Sequence, residues 1–428
     1  MLTTSHHKTH SSGKRHAQFK LRATTLALCL MPAIGLAQDK FKVTVTHQLA
    51  DARPSETITI PWAQVNQYLP GALIQKIAIK DQHGKVLPHQ VTNIAPQAKD
   101  PQGIGIAYGE LIFQHHFAAG EKQASFTIEK IDTVAPVFET KTFARQIPER
   151  LDDFAWETDK IAHRTYGPAL AAPAPPGVTK EVLVTSGIDI WFKRVPYPIV
   201  DRWYNKGHDH YHKDEGEGLD MYNVGRSRGC GGTGIWDGKQ LHTSINYAQW
   251  KILANGPIRT IFELSYQSWD AAGVAVTETK RFTIDAGHYL DKIESTFQFN
   301  ASTANPQLIA AVGLNKTPSD KGQQAKIQVE KDQASSSLSQ WIEQSSNGAI
   351  GTAIILPGAD AYSEDSLNHL ILKPVTSGQK MTYYAGAIWE RWGDVKTQEA
   401  WLDYINKMAA RYRDPVKVSL SSISNQTR

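Results

Sequence analysis

Between Arg202 and Tyr222 the chain gathers three histidines, five carboxylates and three tyrosines, and a glycine-rich run, Gly229-Cys-Gly-Gly-Thr-Gly234, follows closely. Core packing does not call for that mixture, because apolar side chains build cores and ionisable ones are solvated or paired. Titratable groups beside conformationally free loops suit a cleft that binds or transforms a ligand. His208, His210 and His212 recur at every second position, and Asp214 continues the row. In an extended segment these side chains share one face. Such a row could take zinc through nitrogen ligands or calcium through oxygens, with His210, His212 and Asp214 as the candidate set. The plain alternative is a polar loop whose histidines face solvent.

The same residues also support metal-free chemistry. Tyr211 and His212 are adjacent, and a Tyr/His pair can remove and return protons, with Arg164 or Arg226 supplying positive charge. Glu215, Glu217 and Asp220 could instead act as paired carboxylates of a glycosidase, which requires a defined separation across the scissile bond. The run Gly229–Gly234 fits G-x-G-x-x-G only on paper. No buried strand leads into it, and Ile235-Trp-Asp-Gly-Lys does not open a helix, so a dinucleotide site is excluded. Trp191, Trp203, Tyr204, Tyr222, Trp236 and Trp250 surround the cluster. Flat apolar faces beside charged groups suit sugar rings, although core packing accounts for many such aromatics. Arg164, Lys193, Arg226 and Arg228 are candidates to neutralise the carboxylate of an acidic sugar.

The elements that must position these residues read mostly as strands. Residues 1–37 have the form of a secretory signal peptide: Lys8, Lys14, Arg15, Lys20 and Arg22, an apolar run from Ala23 to Leu36, and small residues before a cleavage after Ala37. Removing those five charges from the formal +4 leaves about −1. The mature chain therefore has no strong field for nucleic acid or anionic membrane. No other apolar stretch is long enough to span a membrane. A soluble periplasmic or secreted protein is expected, and Cys230 is its one remaining cysteine.

Residues 38–140 alternate apolar and polar in short runs. They predict a small N-terminal β-sandwich with hairpins at Lys76–Val91 and Glu110–Glu129. Residues 141–428 predict a large antiparallel, supersandwich-like β-sandwich carrying the site. One helix is expected near the end, opening at Thr397, with Trp401, Ile405, Met408 and Tyr412 at helical spacing and Asp414-Pro415 closing it.

Two long motifs, Asp153-Phe-Ala-Trp-Glu-Thr-Asp-Lys-Ile-Ala-His-Arg-Thr-Tyr-Gly-Pro-Ala-Leu170 and Tyr211-His-Lys-Asp-Glu-Gly-Glu-Gly-Leu-Asp-Met-Tyr-Asn-Val-Gly225, resemble an exported bacterial family long filed as a domain of unknown function. Its members sit in polysaccharide-utilisation clusters, and some resemble dehydratases of ulvan-type, uronate-containing oligosaccharides. The matching positions include Arg164, Tyr166, Tyr211, His212, Asp214 and Asp220, while His208 and His210 lie outside the match. The resemblance implies a β-sandwich carbohydrate-active protein, and the Tyr/His/Arg set within the motifs makes a carbon–oxygen lyase the leading reading, with Arg164, Tyr166, Tyr211 and His212 as catalytic candidates. Lys193, Trp203, Asp220, Tyr222 and Arg226 are the candidate contacts to an acidic oligosaccharide. A non-catalytic carbohydrate-binding protein and a carboxylate-dependent glycosidase remain alternatives.

Overall fold

A computed structural model describes residues 39–92, 109–301, 307–319 and 324–423. The expected leader, residues 1–37, lies outside the described residues. The N-terminal sandwich packs a four-stranded sheet, ordered Lys417–Ser422, Lys40–Thr46, Gln123–Lys130 and Ile77–Lys80, near a three-stranded sheet of Arg53–Pro61, Glu110–Phe117 and His89–Thr92. Its fourth strand comes from the C-terminus, pairing Val43 with Leu420.

The two expected hairpins do not form as ladders. Glu110–Phe117 and Gln123–Lys130 belong to different sheets, so their turn arches across the sandwich. Both strands alternate, and each buries its apolar face best against the other: Phe113 meets Phe126 edge-on with centroids 4.9 Å apart. Ile77–Lys80 and the segment after it share only a bridge between Lys80 and Val86.

The larger part follows the expected architecture. An eight-stranded antiparallel sheet runs in the order Gln249–Ala254, Arg259–Ala271, Val274–Asp285, Leu290–Phe299, Lys380–Trp389, Gly348–Ile355, Ser337–Gln344 and Ala325–Asp332. A five-stranded sheet centred on Cys230–Trp236 and Leu308–Asn315 contributes to the same main core, which includes Phe262, Phe282, Ile293, Val312, Ile342 and Tyr383.

A second five-stranded sheet carries both sequence motifs. Its strands, in spatial order from one edge, are β5 (Gly218–Asp220), β4 (Ile188–Lys193), β3 (Ala162–Thr165), β2 (Asp153–Glu157) and β1 (Phe143–Ile147). Two short helices, α1 (Val200–Lys206) and α2 (His208–Tyr211), connect β4 to β5. The long helix α3 (Gln398–Arg413) opens where expected, with the Thr397 side chain accepting from the Ala400 N–H. Its Trp401, Ile405 and Met408 pack on Ala349, Ala353 and Ile355 of the eight-stranded sheet.

Candidate functional site

Strand alternation divides the β1–β5 sheet into two unlike faces. Phe154, Trp156, Ile188, Ile190, Phe192 and Leu219 enter the main core. The intervening positions, Asp153, Glu157, Arg164, Asp189, Trp191, Lys193 and Asp220, have the opposite parity and so share the other face. Register brings them together: Arg164 lies opposite Asp189, and Trp191 opposite Asp220. Ile199, Val200, Trp203 and Tyr204 of the α1 region and Tyr211 of α2 cover this face, packing on Ala155, Ala162 and Trp191.

Arg164 is the hub of the covered face. Its Nε donates to Asp189 Oδ2 at 2.8 Å and its Nη2 to Asp220 Oδ2 at 3.0 Å, and its Nη1 lies 3.6 Å from Asp153 Oδ2. Its guanidinium also lies 5.3–5.6 Å from the ring centroids of Trp191, Tyr166 and Tyr211. Burial opposes its charge, but Asp189 and the neighbouring groups hold its pKa well above the usual value. Burial pushes the Asp153 carboxyl up to about 6, against the pull of Arg164 and Arg150.

Tyr166 donates to Asp189 Oδ2 at 2.9 Å, and Tyr204 to Asp153 Oδ2 at 3.2 Å. Burial, reinforced by those carboxylates, holds both phenols well above their usual range, so both remain protonated donors.

The structure brings Arg164, Tyr166, Tyr211, His212 and Asp220 into one cluster and places them at different depths. Tyr211 is buried, with its ring 4.7 Å from Trp191 and 4.9 Å from the His212 ring. The His212 side chain is 34% exposed. Its Nδ1 lies 3.1 Å from the main-chain carbonyl of Asp220, and its Nε2 lies 3.9 Å from Asp220 Oδ2. A carbonyl oxygen only accepts, so the contact assigns the neutral-ring proton to Nδ1 and leaves Nε2 as the basic nitrogen.

Other sequence candidates are placed differently. Lys193 is not poised for substrate: its ammonium is fully buried, 2.7 Å from Glu157 Oε2 and 2.8 Å from the Thr158 carbonyl. A charge with no water needs its partner close by, and Glu157 lies on the same face two strands away. Trp203 is buried and donates to Glu217 at 3.1 Å. Tyr222 sits in the main core. Arg226 is exposed on the loop before Cys230–Trp236.

The histidine row expected in an extended strand is interrupted by helix. Gly207, at φ +96°, turns the chain into α2, so the row does not share one face. His210 meets Glu215 at 2.9 Å and His212 turns to Asp220, while Asp214 faces Arg194 at 3.2 Å. Those three do not converge on one ion. Among the described residues, no group of three or more His, Cys, Asp or Glu side chains is placed to hold a metal. The carboxylates proposed for glycoside cleavage are also engaged, Glu217 by Arg202, Tyr197 and Trp203, and Asp220 by Arg164. In the glycine run, Gly229 has φ +57°, and a Cβ there would stand 2.0 Å from the Ile188 carbonyl, a close-approach role. Burial pushes the neighbouring Cys230 thiol up to about 12, which suits packing rather than nucleophilic attack.

Two residues of the site escaped the sequence reading. Asp189 is a carboxylate inside an otherwise apolar strand, Ile188-Asp-Ile-Trp, and that interruption was its signal. Arg150 lies at the end of the turn between β1 and β2, followed by Leu151 and Asp152 at φ +53° and +63°. This unusual backbone is held from three sides: Gln146 donates to the Asp152 side chain, Tyr247 to the Asp152 carbonyl and the Leu170 N–H to the Leu151 carbonyl. The turn places Arg150 within electrostatic reach of Asp153 and Tyr211. Burial weakens its charge, but Asp153 and then Tyr211 raise its pKa above the usual value. Its outer contact is Glu181 at 2.6 Å, a half-exposed partner.

Comparison with known proteins follows the same span. A family model described as "Domain of unknown function (DUF4861)" matches residues 45–418. An uncharacterised protein, P7, of Formosa agariphila is 32% identical over 393 residues, covering 88% of this chain and 93% of its own. Among solved structures, an alpha-mannosidase from Enterococcus faecalis V583 aligns with a TM-score of 0.47 at 9% identity, over 89% of this chain and 46% of that one. A glycosyl hydrolase family 38 protein from Enterococcus faecalis aligns with a TM-score of 0.46 at 9% identity, over 91% and 48%. The chain thus spans about half the length of those two structures. At that score and identity the likeness bears on neither reaction nor substrate. Among the described residues, no helix is long and apolar enough to cross a membrane.

Proposed function

Since the chain belongs to the DUF4861 family and its own two motifs meet at the Arg164–Asp220–His212 cluster, we propose that it is an exported carbohydrate-active enzyme: a carbon–oxygen lyase that removes water from a uronic acid in an oligosaccharide. The observation that carries this reading is His212. It is the partly exposed ionisable group of the cluster, its Nδ1 faces a carbonyl, and its Nε2 stands 3.9 Å from a carboxylate fixed by Arg164 and Trp191.

The reaction begins at the proton on C5 of the uronate, which is acidic once the adjoining carboxylate is neutralised. His212 Nε2 takes that proton, and the C5–H electron pair becomes the C4–C5 double bond. The C4–O bond breaks, and the imidazolium returns the proton to the departing oxygen, releasing water. Asp220 stabilises the transient imidazolium. Arg164 acts through Asp220 and is a positioning residue in this scheme. Tyr166 is one as well, because its proton already goes to Asp189. Arg150 takes the role first assigned to Arg164: its half-exposed pairing with Glu181 is of the kind a substrate carboxylate can displace.

The test is mass spectrometry of defined uronate oligomers after incubation with the protein, together with ultraviolet absorbance of the conjugated enoate. Loss of one water with the appearance of that band supports the proposal. Gain of water selects a glycosidase, and binding without a mass change selects a carbohydrate-binding protein.

A further inference from the structure

A cavity of about 210 Å³ opens between the Arg53–Pro61 strand, the eight-stranded sheet and α3, with no residue in common with the His212 cluster. Its lining carries four basic side chains, Arg53, Arg259, Lys292 and Arg411, and two carboxylates, Glu56 and Asp285. Arg53 and Arg411 both bind Glu56 Oε2, at 3.0 and 2.7 Å. Arg259 grips both oxygens of Asp285 at 2.6 and 2.7 Å, and Glu110 stands 3.6 Å from its third nitrogen. Lys292 has Glu294 at 3.7 Å, but Glu294 also serves Lys380 at 3.6 Å. Glu56 and Glu294 each answer two cations while Arg259 meets two acids, which leaves the set one positive charge in excess.

Burial pushes Glu56 up, yet Arg411 and Arg53 bring it below the usual range, and Arg259 does the same for Asp285. A low-dielectric wall strengthens the remaining positive field. The wall also includes Tyr384 and Tyr412, stacked with centroids 3.4 Å apart, a flat apolar surface beside the charges.

We infer that this cavity is a second subsite, one that binds an oxyanion carried on a sugar ring, either a sulfate ester or a carboxylate. Charge, volume and the tyrosine wall carry the oxyanion, the sugar ring rests on the carbohydrate-active reading above, and neither depends on the elimination at His212.

Calorimetric titration of the full chain with sodium sulfate, and separately with sodium glucuronate, tests it in chloride buffer of matched ionic strength. At least one anion should bind saturably. Lys292 is 42% exposed and stands outside the Arg53–Glu56–Arg411 clasp, so Lys292→Gln should fold normally and weaken binding about tenfold, the worth of one charge-assisted contact. His212→Asn should keep the Lys292-sensitive binding of wild type, which separates this subsite from the lyase site. Tighter glucuronate identifies the carboxylate as the recognised group, and tighter sulfate the ester. Absence of saturable heat from both anions, unchanged affinity in Lys292→Gln, or loss of binding in His212→Asn overturns the inference.

Discussion

Replacing Lys193 by methionine separates a substrate contact from a structural ion pair. Both side chains of the Lys193–Glu157 pair are essentially inaccessible. Glu157 also accepts from the Ile199 and Val200 N–H groups, so it anchors the start of α1 as well as the lysine. Removing one member of a buried pair strands the other and costs about 3–5 kcal/mol. Lys193→Met should fall near 3 kcal/mol, because two backbone donors remain to Glu157. Glu157→Gln should cost more: it leaves the ammonium with the Thr158 carbonyl and weakens both contacts to α1. The double variant Glu157→Gln/Lys193→Met should be more stable than the sum of the single losses predicts, by roughly 1–3 kcal/mol of coupling. Urea unfolding of the four proteins measures this, and KM for uronate oligomers should be unchanged in whichever variants fold. A Lys193→Met protein with wild-type stability and a raised KM would refute the burial argument and restore the lysine to the substrate.

Other outcomes follow from the same geometry. Arg164→Met leaves Asp153, Asp189 and Asp220 facing one another and should lower stability by at least about 3 kcal/mol, with partial recovery in Arg164→Met/Asp189→Asn, read by thermal unfolding. Glu181→Gln should lower KM for acidic oligomers by freeing Arg150, whereas Arg150→Met should raise it, read by steady-state kinetics. Burial raises the Asp291 carboxyl to about 7 despite its bond from Trp156. The folded state therefore holds that proton more tightly than the unfolded chain, and Asp291's contribution to stability is full below about pH 4 and is lost as pH rises through about 7. Asp291→Asn should thus gain on wild type progressively between about pH 4 and 7 and level off above that in thermal melts. Thr397→Ala removes the cap of α3 and should cost about 1 kcal/mol.

Local rules made part of this molecule legible. Thr397, the spacing of Trp401, Ile405 and Met408, and Asp414-Pro415 placed α3, because a cap and an amphipathic stripe are written within a few residues of each other. The strands Arg259–Ala271, Val274–Asp285 and Leu290–Phe299 were equally readable from alternation. The site was legible as a set of residues and not as an arrangement. Arg164 and His212 do flank one carboxylate, but the depth of each group depends on partners far along the chain, as Lys193 on Glu157 and Arg150 on Glu181. The histidine row failed because period-two spacing says nothing where a glycine such as Gly207 admits a helical turn. The arch between Glu110–Phe117 and Gln123–Lys130 failed for a related reason: two alternating strands and a short turn are compatible with pairing in one sheet or facing across two.

The most direct test of the central claim compares wild type with His212→Asn, an uncharged near-isostere, on a defined uronate oligomer followed by mass and by absorbance of the unsaturated product. Wild type should yield a product lighter by one water, and His212→Asn should lose at least about a hundredfold in kcat, the usual worth of a general acid–base group, with its unfolding midpoint nearly unchanged. A His212→Asn enzyme that still eliminates water at the wild-type rate would contradict the account.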